Sequence, residues 1–257
     1  MKQMLRRGVF VCVFVSVVVL LTGCVTEVMG PEGKLDPEKQ LQAYINLGVG
    51  YIANGEYGRA KESLKVALEL DPKSAQVHHA LGRLFQMEGD YDLADEYFKR
   101  AISLDRNFTQ AQNTYGAFLY SQERYEEAIE HLIIAADDRL YQNRAQVFEN
   151  LGVCYNKLGN ADAAQKAFFR ATQLNPRQSR ALLELAEIRY SQKNFVEARS
   201  YYRRHTSGSS QSARSLLLCI KLAVVFDKPD DKASCALTLR NVFPGTAQFR
   251  EYERFVK

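Results

Sequence analysis

The chain has 257 residues and a formal net charge of +4. Lys2, Arg6 and Arg7 stand in the first 23 residues without any acidic residue, so removal of that segment would lower the net charge to +1. No cluster of lysine and arginine of the kind that binds nucleic acid follows, and we expect neither a nucleic-acid partner nor a small-molecule substrate.

Residues 1–23 have the features of an export signal in the expected order. The basic start is followed by a thirteen-residue apolar run with one serine, from Val9 to Leu21, which is shorter than a typical membrane-spanning helix. The run ends in Leu-Thr-Gly-Cys, which resembles a bacterial lipoprotein box. This resemblance implies cleavage before Cys24 and attachment of lipid to that cysteine. The alternative is an uncleaved membrane anchor with an incidental cysteine.

The residues around the lipid site also suggest where the mature chain resides. Val25 follows Cys24, and the aspartate that retains such lipoproteins at the inner membrane is absent. The resemblance therefore implies the outer membrane of a Gram-negative cell, with the chain facing the periplasm and anchored by its lipid. Residues 24–38 contain two glycines and two prolines, and we interpret them as a flexible tether.

A repeat of 34 residues dominates the remainder of the chain. Gly48, Gly82 and Gly116 are spaced by 34 residues, and Gly152 follows after 36. An alanine lies twelve residues after each glycine and another nineteen residues after it, and the surrounding apolar residues recur at helical spacing. A 34-residue period of this composition is typical of the tetratricopeptide repeat (TPR), a hairpin of two helices. An unrelated helical bundle is the alternative.

The pattern predicts an all-α TPR superhelical solenoid of antiparallel helix pairs in residues 39–257. About six repeats are expected, at 41–74, 75–108, 109–142, 145–178, 179–212 and 213–246, with a C-terminal capping helix after them. The glycine is lost in the last two repeats, where the pattern is weaker. The step from 34 to 36 residues before Gly152 predicts a longer joint between repeats 3 and 4. Gly55, Gly89 and Gly159 are predicted at the turns inside hairpins, where a positive φ is needed.

Three cysteines remain in the mature chain beside Cys24. Cys219 and Cys235 are predicted on the two helices of one hairpin, and the periplasm is oxidising, so a disulfide is conceivable. Because free cysteine also packs as a small buried residue, we favour unpaired cysteines there. Cys154 is predicted to lie in the core.

No catalytic or metal-binding pattern stands out, and we predict a protein that is not an enzyme and needs no cofactor or metal. His78 and His79 are adjacent and therefore point about 100° apart on a helix. His131 has no cysteine or carboxylate at a spacing that metal sites use. Glycine-rich phosphate loops and nucleophile elbows are also absent from the sequence.

In a TPR hairpin the first helix lines the concave face, which is the expected binding surface. The first repeat is predicted to expose an apolar strip there, formed by Ile45, Val49 and Ile52. We expect an amphipathic helix of a partner to dock on this strip. Alternatively, the tether or a neighbouring helix covers it. The predicted groove residues are Ile45, Val49, Ile52, Ala53, Arg83, Met87 and Tyr120.

Two stretches add a more specific resemblance. One runs from Tyr115 through Arg124 to Gly152, and the other is Ala-Arg-Ser-Leu-Leu-Leu at 213–218, followed by Lys-Leu-Ala at 221–223. With the lipoprotein box they make the chain, from Cys24 to its end, similar to the type IV pilus biogenesis lipoprotein family, PilF/PilW.

The PilF/PilW resemblance implies a pilotin. Such a lipoprotein binds the subunit of the pilus secretin and promotes its localisation in the outer membrane and its multimerisation. The partner would then be the secretin, through an amphipathic helical segment. The alternative is a general periplasmic TPR adaptor that organises peptidoglycan hydrolases or proteases.

Overall fold

The computed structural model describes residues 36–256, and residues from Leu41 onward form one compact unit. The predicted signal peptide, Cys24 and most of the predicted tether lie outside the described residues. The first helix begins at Pro37, two residues inside the predicted tether. The side chain of Asp36 accepts a hydrogen bond from the Glu38 backbone N–H at 3.1 Å, and proline is well suited to a first helical position.

The described residues contain thirteen helices and no strand. They form hairpins in chain order: α1 (Pro37–Ala53) and α2 (Tyr57–Leu70), α3 (Ala75–Glu88) and α4 (Tyr91–Leu104), α5 (Thr109–Ser121) and α6 (Tyr125–Asp137), α7 (Arg144–Lys157) and α8 (Ala161–Leu174), α9 (Ser179–Ser191) and α10 (Phe195–Thr206), α11 (Ala213–Val225) and α12 (Pro229–Val242), followed by α13 (Ala247–Val256). This arrangement confirms the predicted all-α solenoid of six hairpins with a terminal helix. None of the helices described is long and apolar enough to cross a membrane.

The repeated glycines are where the two helices of a hairpin approach each other. A Cβ atom built on Gly48 would lie 2.6 Å from the Leu64 side chain, and one on Gly82 would lie 2.7 Å from Phe98. Both partners are completely buried, so only glycine lets the two backbones come this close. The 34-residue period therefore reflects one helix crossing repeated along the chain.

The turns inside the hairpins all use a residue in the left-handed region. Gly55, Gly89 and Gly159 have φ between 76° and 83°, as predicted. Repeats 3 and 5 have Glu123 and Lys193 in the same place, each with φ of 60°. The turn conformation is thus kept even where glycine is not.

The joint between repeats 3 and 4 is longer than the other joints among the first five hairpins, as predicted. Residues 138–143 separate α6 from α7, whereas only residues 71–74, 105–108 and 175–178 separate the other early hairpins. The Nε of Arg144 donates to the Ala136 carbonyl oxygen at 2.7 Å, which ties the start of α7 to the end of α6.

Polar contacts join repeats 2 and 3. The Tyr115 hydroxyl on α5 donates to Asp95 Oδ1 on α4 at 2.8 Å, and Arg124 donates to the same oxygen at 2.7 Å. Because Tyr115 is almost fully buried, its hydroxyl depends on this carboxylate for a partner.

The sixth hairpin is cross-linked, and our preference for unpaired cysteines was wrong. Cys219 on α11 and Cys235 on α12 form a disulfide, with the two Cα atoms 6.3 Å apart. Both lie at the point where the two helices cross, so the hairpin itself brings them within bonding reach. Cys154 is buried and unpaired, as predicted, and burial raises the pKa of its thiol to about 11.

Candidate protein-binding groove

The inner face of the solenoid is formed by the first helices of the hairpins, α1, α3, α5, α7 and α9. The predicted groove residues lie on the first three of these helices, at equivalent positions of repeats 1 to 3. The structure divides them into two groups: two that belong to the core, and five whose surface is at least partly open.

Ile45 and Ile52 are core residues, and their assignment to an exposed strip was wrong. Only 6% of Ile45 and 4% of Ile52 is exposed, and both belong to a cluster with Val77, Leu81 and Leu84 of α3. The neighbouring helix therefore covers the strip, which is the alternative considered above. The fifth position of the repeat is buried in later repeats too, as His79 shows.

Five predicted residues remain at the surface of the groove. Met87 is 55% exposed and Ala53, at the same position of the preceding repeat, is exposed as well. Val49, Arg83 and Tyr120 are half-buried. Apolar surface in this groove is thus carried by the ends of α1 and α3.

Tyr120 is held in place by a residue two repeats further on. The guanidinium carbon of Arg180 lies 5.9 Å from the centre of the Tyr120 ring, and a weak hydrogen bond of 3.5 Å joins the two side chains. An aromatic ring beside a cation presents both an apolar face and a polar edge, which is a common composition for protein-binding surfaces.

A series of polar contacts that was not predicted from the sequence joins the first helices of repeats 3 to 5 and the N-cap residue of α9, Gln178. Asn150 Nδ2 donates to Asn113 Oδ1 at 3.2 Å, and Gln178 Nε2 donates to Gln146 Oε1 at 3.1 Å. Glu149 is buried and accepts from the Ala181 backbone N–H at 3.0 Å. Periodic polar residues were visible, but only the fold shows that they bond across repeats.

His79 is a packing residue of this region rather than a ligand. Its ring meets Phe108 edge-on at 5.3 Å, and its Nε2 has no hydrogen-bond partner among the described residues. Burial, together with the nearby Arg83, lowers the pKa of His79 to about 4, so the ring is neutral at physiological pH. Within residues 36–256 no group of three or more histidine, cysteine or acidic side chains is placed to hold a metal ion.

Comparison with known proteins identifies both the fold and the family. Tetratricopeptide repeat models match residues 41–74, 75–108, 119–171 and 155–213. Type IV pilus assembly protein PilF of Pseudomonas aeruginosa is 41% identical over 237 residues, which cover 91% of this chain and 93% of that protein. The chain belongs to the PilF family.

Solved structures agree with this relationship. A structure of P. aeruginosa PilF matches with a TM-score of 0.83 and 41% identity, covering 85% of this chain and 99% of that one. PilW, described as a widely conserved type IV pilus biogenesis factor, matches with a TM-score of 0.70 over 82% of this chain and 97% of its own, and at 24% identity it supports the fold alone. The similarity to PilF thus extends across nearly the whole of that chain.

Proposed function

We propose that this chain acts in type IV pilus assembly as a pilotin, a lipid-anchored scaffold that binds the secretin subunit and promotes its localisation and multimerisation in the outer membrane. The observation that carries the proposal is the 41% identity to PilF over 91% of the chain. A solenoid of TPR hairpins acts by binding other proteins, so we propose a scaffold rather than an enzyme.

We place the proposed contact with the secretin on the solvent-exposed groove residues of repeats 1 to 3. Ala53 and Met87 offer exposed apolar surface at equivalent positions, and Val49 is half-exposed beside them in the repeat. Arg83 and Tyr120 supply polar edges. Apolar contacts flanked by polar groups suit an amphipathic helix of the secretin, whose apolar face would lie against the methionine.

The anchor is proposed at Cys24, supported by the lipoprotein box in the sequence. One acyl chain binds a membrane only marginally, so stable attachment needs the several chains that bacterial lipoproteins of this type carry. A Cys24→Ser variant cannot carry the lipid and should no longer fractionate with the outer membrane. Fractionation with the outer membrane at the wild-type level would contradict the anchor.

The test of the groove uses two arginine substitutions of exposed apolar residues. Met87→Arg places a charge in the groove. Val196→Arg places a charge outside it, on α10, the second helix of the fifth hairpin, where the valine is 69% exposed. Met87→Arg should reduce co-purification of the secretin and the yield of heat-stable secretin multimers, and Val196→Arg should leave both unchanged. Circular dichroism would establish that both variants keep their helical content.

Two outcomes would count against these proposals. Equal secretin binding by both variants would exclude the groove around Met87. Normal secretin multimers and normal pili after deletion of the gene would exclude the pilotin function and favour a general envelope adaptor.

A further inference from the structure

A second open site lies between repeats 3 and 4, and its lining includes none of the groove residues. A shallow cleft of about 380 Å³ is lined by residues of α6, α7 and α8. Its lining is mainly apolar and consists of Ile133, Ala136, Asp137, Arg144, Phe148, Leu151, Tyr155, Ala163, Lys166 and Ala167. This volume is within the range of about 300–1,000 Å³ that ligand-binding pockets occupy.

Beside the cleft, repeat 4 has a small residue where repeats 2, 3 and 5 have an aromatic ring. Three residues after the alanine that recurs in the second helices (Ala60, Ala94, Ala128, Ala164 and Ala198), repeats 2, 3 and 5 have Tyr97, His131 and Tyr201, repeat 1 has a serine, and repeat 4 has Ala167. Tyr97 stacks on Phe85 of its own hairpin, with ring centres 5.3 Å apart. In repeat 4 the equivalent ring is Tyr155. Ala167 is too small to cover it, and Tyr155 lines the cleft.

A second small residue widens the same space. Ala163 of α8 stands where repeats 2, 3 and 5 have Leu93, Glu127 and Glu197. On the opposite wall Ile133 of α6 is 45% exposed, at a position where repeats 1 and 2 have lysine. An apolar residue has thus replaced a charged one where the cleft opens to solvent.

The charge at the rim of the cleft is inverted relative to repeats 1 to 3. Lys166 stands where repeats 1, 2 and 3 have Glu62, Glu96 and Glu130. It makes no ion pair with any of the described residues. A lysine in place of three glutamates gives this cleft a local preference for negative charge.

Arg144 adds a second cation, which the long joint between α6 and α7 brings into place. Its guanidinium lies 5.4 Å from the centre of the Phe148 ring, and its Nε is bonded to the Ala136 carbonyl. Its two Nη groups donate no hydrogen bond to the described residues and remain available for a carboxylate. Asp137 is the one acidic residue of the lining, so two cations face a single anion.

We propose that this cleft is a second docking site, which binds an acidic peptide segment of a protein partner. One bulky apolar side chain of the segment occupies the cavity over Tyr155 and Phe148, and flanking carboxylates lie beside Arg144 and Lys166. The site differs from the groove proposed for the secretin and does not depend on that proposal.

The chain contains no tryptophan, so a tryptophan in the ligand reports binding without background. The probe is a capped pentapeptide with a central tryptophan and two aspartates on each side, and its matched control has four lysines instead. Tryptophan anisotropy, measured during titration with the mature chain, should show saturable binding of the acidic peptide. Binding of the basic peptide should be weaker by on the order of tenfold or more.

Two variants test the cavity and the charge separately. Ala167→Tyr supplies the ring that Tyr97 provides in repeat 2 and should abolish binding by filling the cleft. Lys166→Glu changes an exposed side chain, so folding is unaffected. It should weaken binding of the acidic peptide by on the order of tenfold and reduce the difference in affinity between the two peptides. Unchanged affinity in Lys166→Glu, or no saturable binding by the wild-type chain, would overturn the proposal.

Size-exclusion chromatography with light scattering tests the alternative that a second copy of this chain occupies the cleft. A dimer of the wild-type chain that Ala167→Tyr converts to a monomer would show that a second copy fills the cleft, and the proposal would then be wrong. A monomer in both cases, with peptide binding lost only in the variant, supports a separate acidic partner.

Discussion

Replacing Gly152 with alanine should destabilise the fourth hairpin, although alanine is the better helix former. A Cβ atom at Gly152 would lie 2.5 Å from two ring atoms of Phe168, well inside the 3.4–4 Å of an ordinary contact. Phe168 is completely buried in a cluster with Val153 and Leu185, so its ring has no free space to move into.

The expected change is the difference between two opposing effects. Extra atoms in a well-packed core cost about 1–3 kcal/mol, because side chains and backbone must shift. Replacing glycine by alanine inside a helix contributes about 1 kcal/mol in the other direction. The free energy of unfolding should therefore fall by up to about 2 kcal/mol.

Gly50→Ala is the matched control, because it adds the same methyl group at a helical site where no other atom is close. Gly50 lies within α1, is exposed, and has no atom within 4 Å of its ideal Cβ position. Its replacement should raise the unfolding midpoint in urea, and Gly152→Ala should lower it. Hydrogen exchange should show faster opening of α7 and α8 in the second variant. A Gly152→Ala protein as stable as the Gly50→Ala protein would refute the close-packing explanation.

Three further perturbations have definite expected results. Replacing Cys219 and Cys235 together by serine should lower the free energy of unfolding by about 3 kcal/mol, because the disulfide joins residues 16 positions apart and so restricts the unfolded chain. Urea unfolding with and without reductant would measure this change. The buried His79 has a pKa of about 4 in the folded protein, below its usual 6.5, so the free energy of unfolding falls as the pH drops from 6.5 towards 4. Between pH 7 and pH 5 the loss should be about 2 kcal/mol. Urea titrations at several pH values should show this loss, and it should disappear in His79→Gln. Asp95→Ala should cost about 1–3 kcal/mol in thermal or urea unfolding, because it removes the partner of the buried Tyr115 hydroxyl, and the Tyr115→Phe background should reduce that cost.

The fold could be predicted from the sequence because the same packing problem recurs at a constant interval. Each of the four repeated glycines marks one close helix crossing, and their spacing, with the apolar positions that continue at the same interval in the last two repeats, predicted the order of the hairpins. The longer joint before Gly152 was predictable for the same reason, since a change of period must be absorbed between helices. The disulfide was less predictable, because spacing alone brings two cysteines near each other without showing whether they bond.

The groove was harder to predict because a helix in a solenoid has more than two faces. Ile45 and Ile52 were placed on the inner face by repeat position, but they pack against α3 of the next hairpin. Met87 and Ala53 remained exposed because they lie at the ends of their helices. Only contacts between consecutive hairpins separate these cases, and those contacts depend on three-dimensional packing.

The weaker repeats at the C-terminus keep the same crossing by a different choice of side chains. In repeats 1 to 4 each glycine meets a large residue sixteen positions later, as with Gly152 and Phe168. In repeat 5 the pair is Ala186 and Tyr202, which share one cluster, and Tyr202 is only half-buried. In repeat 6 the sizes are exchanged: Ile220 is on the first helix and Ala236 on the second, and both are buried in one cluster.

Close packing therefore constrains the pair of side chains at the crossing and not the glycine itself. A large residue on one helix requires a small one on the other, and either order satisfies the requirement. The repeat models match only as far as residue 213, yet α11 and α12 form a sixth hairpin of the same kind. The disulfide in that hairpin joins the residues directly before this exchanged pair, so a covalent bond supports the crossing where the usual glycine is missing.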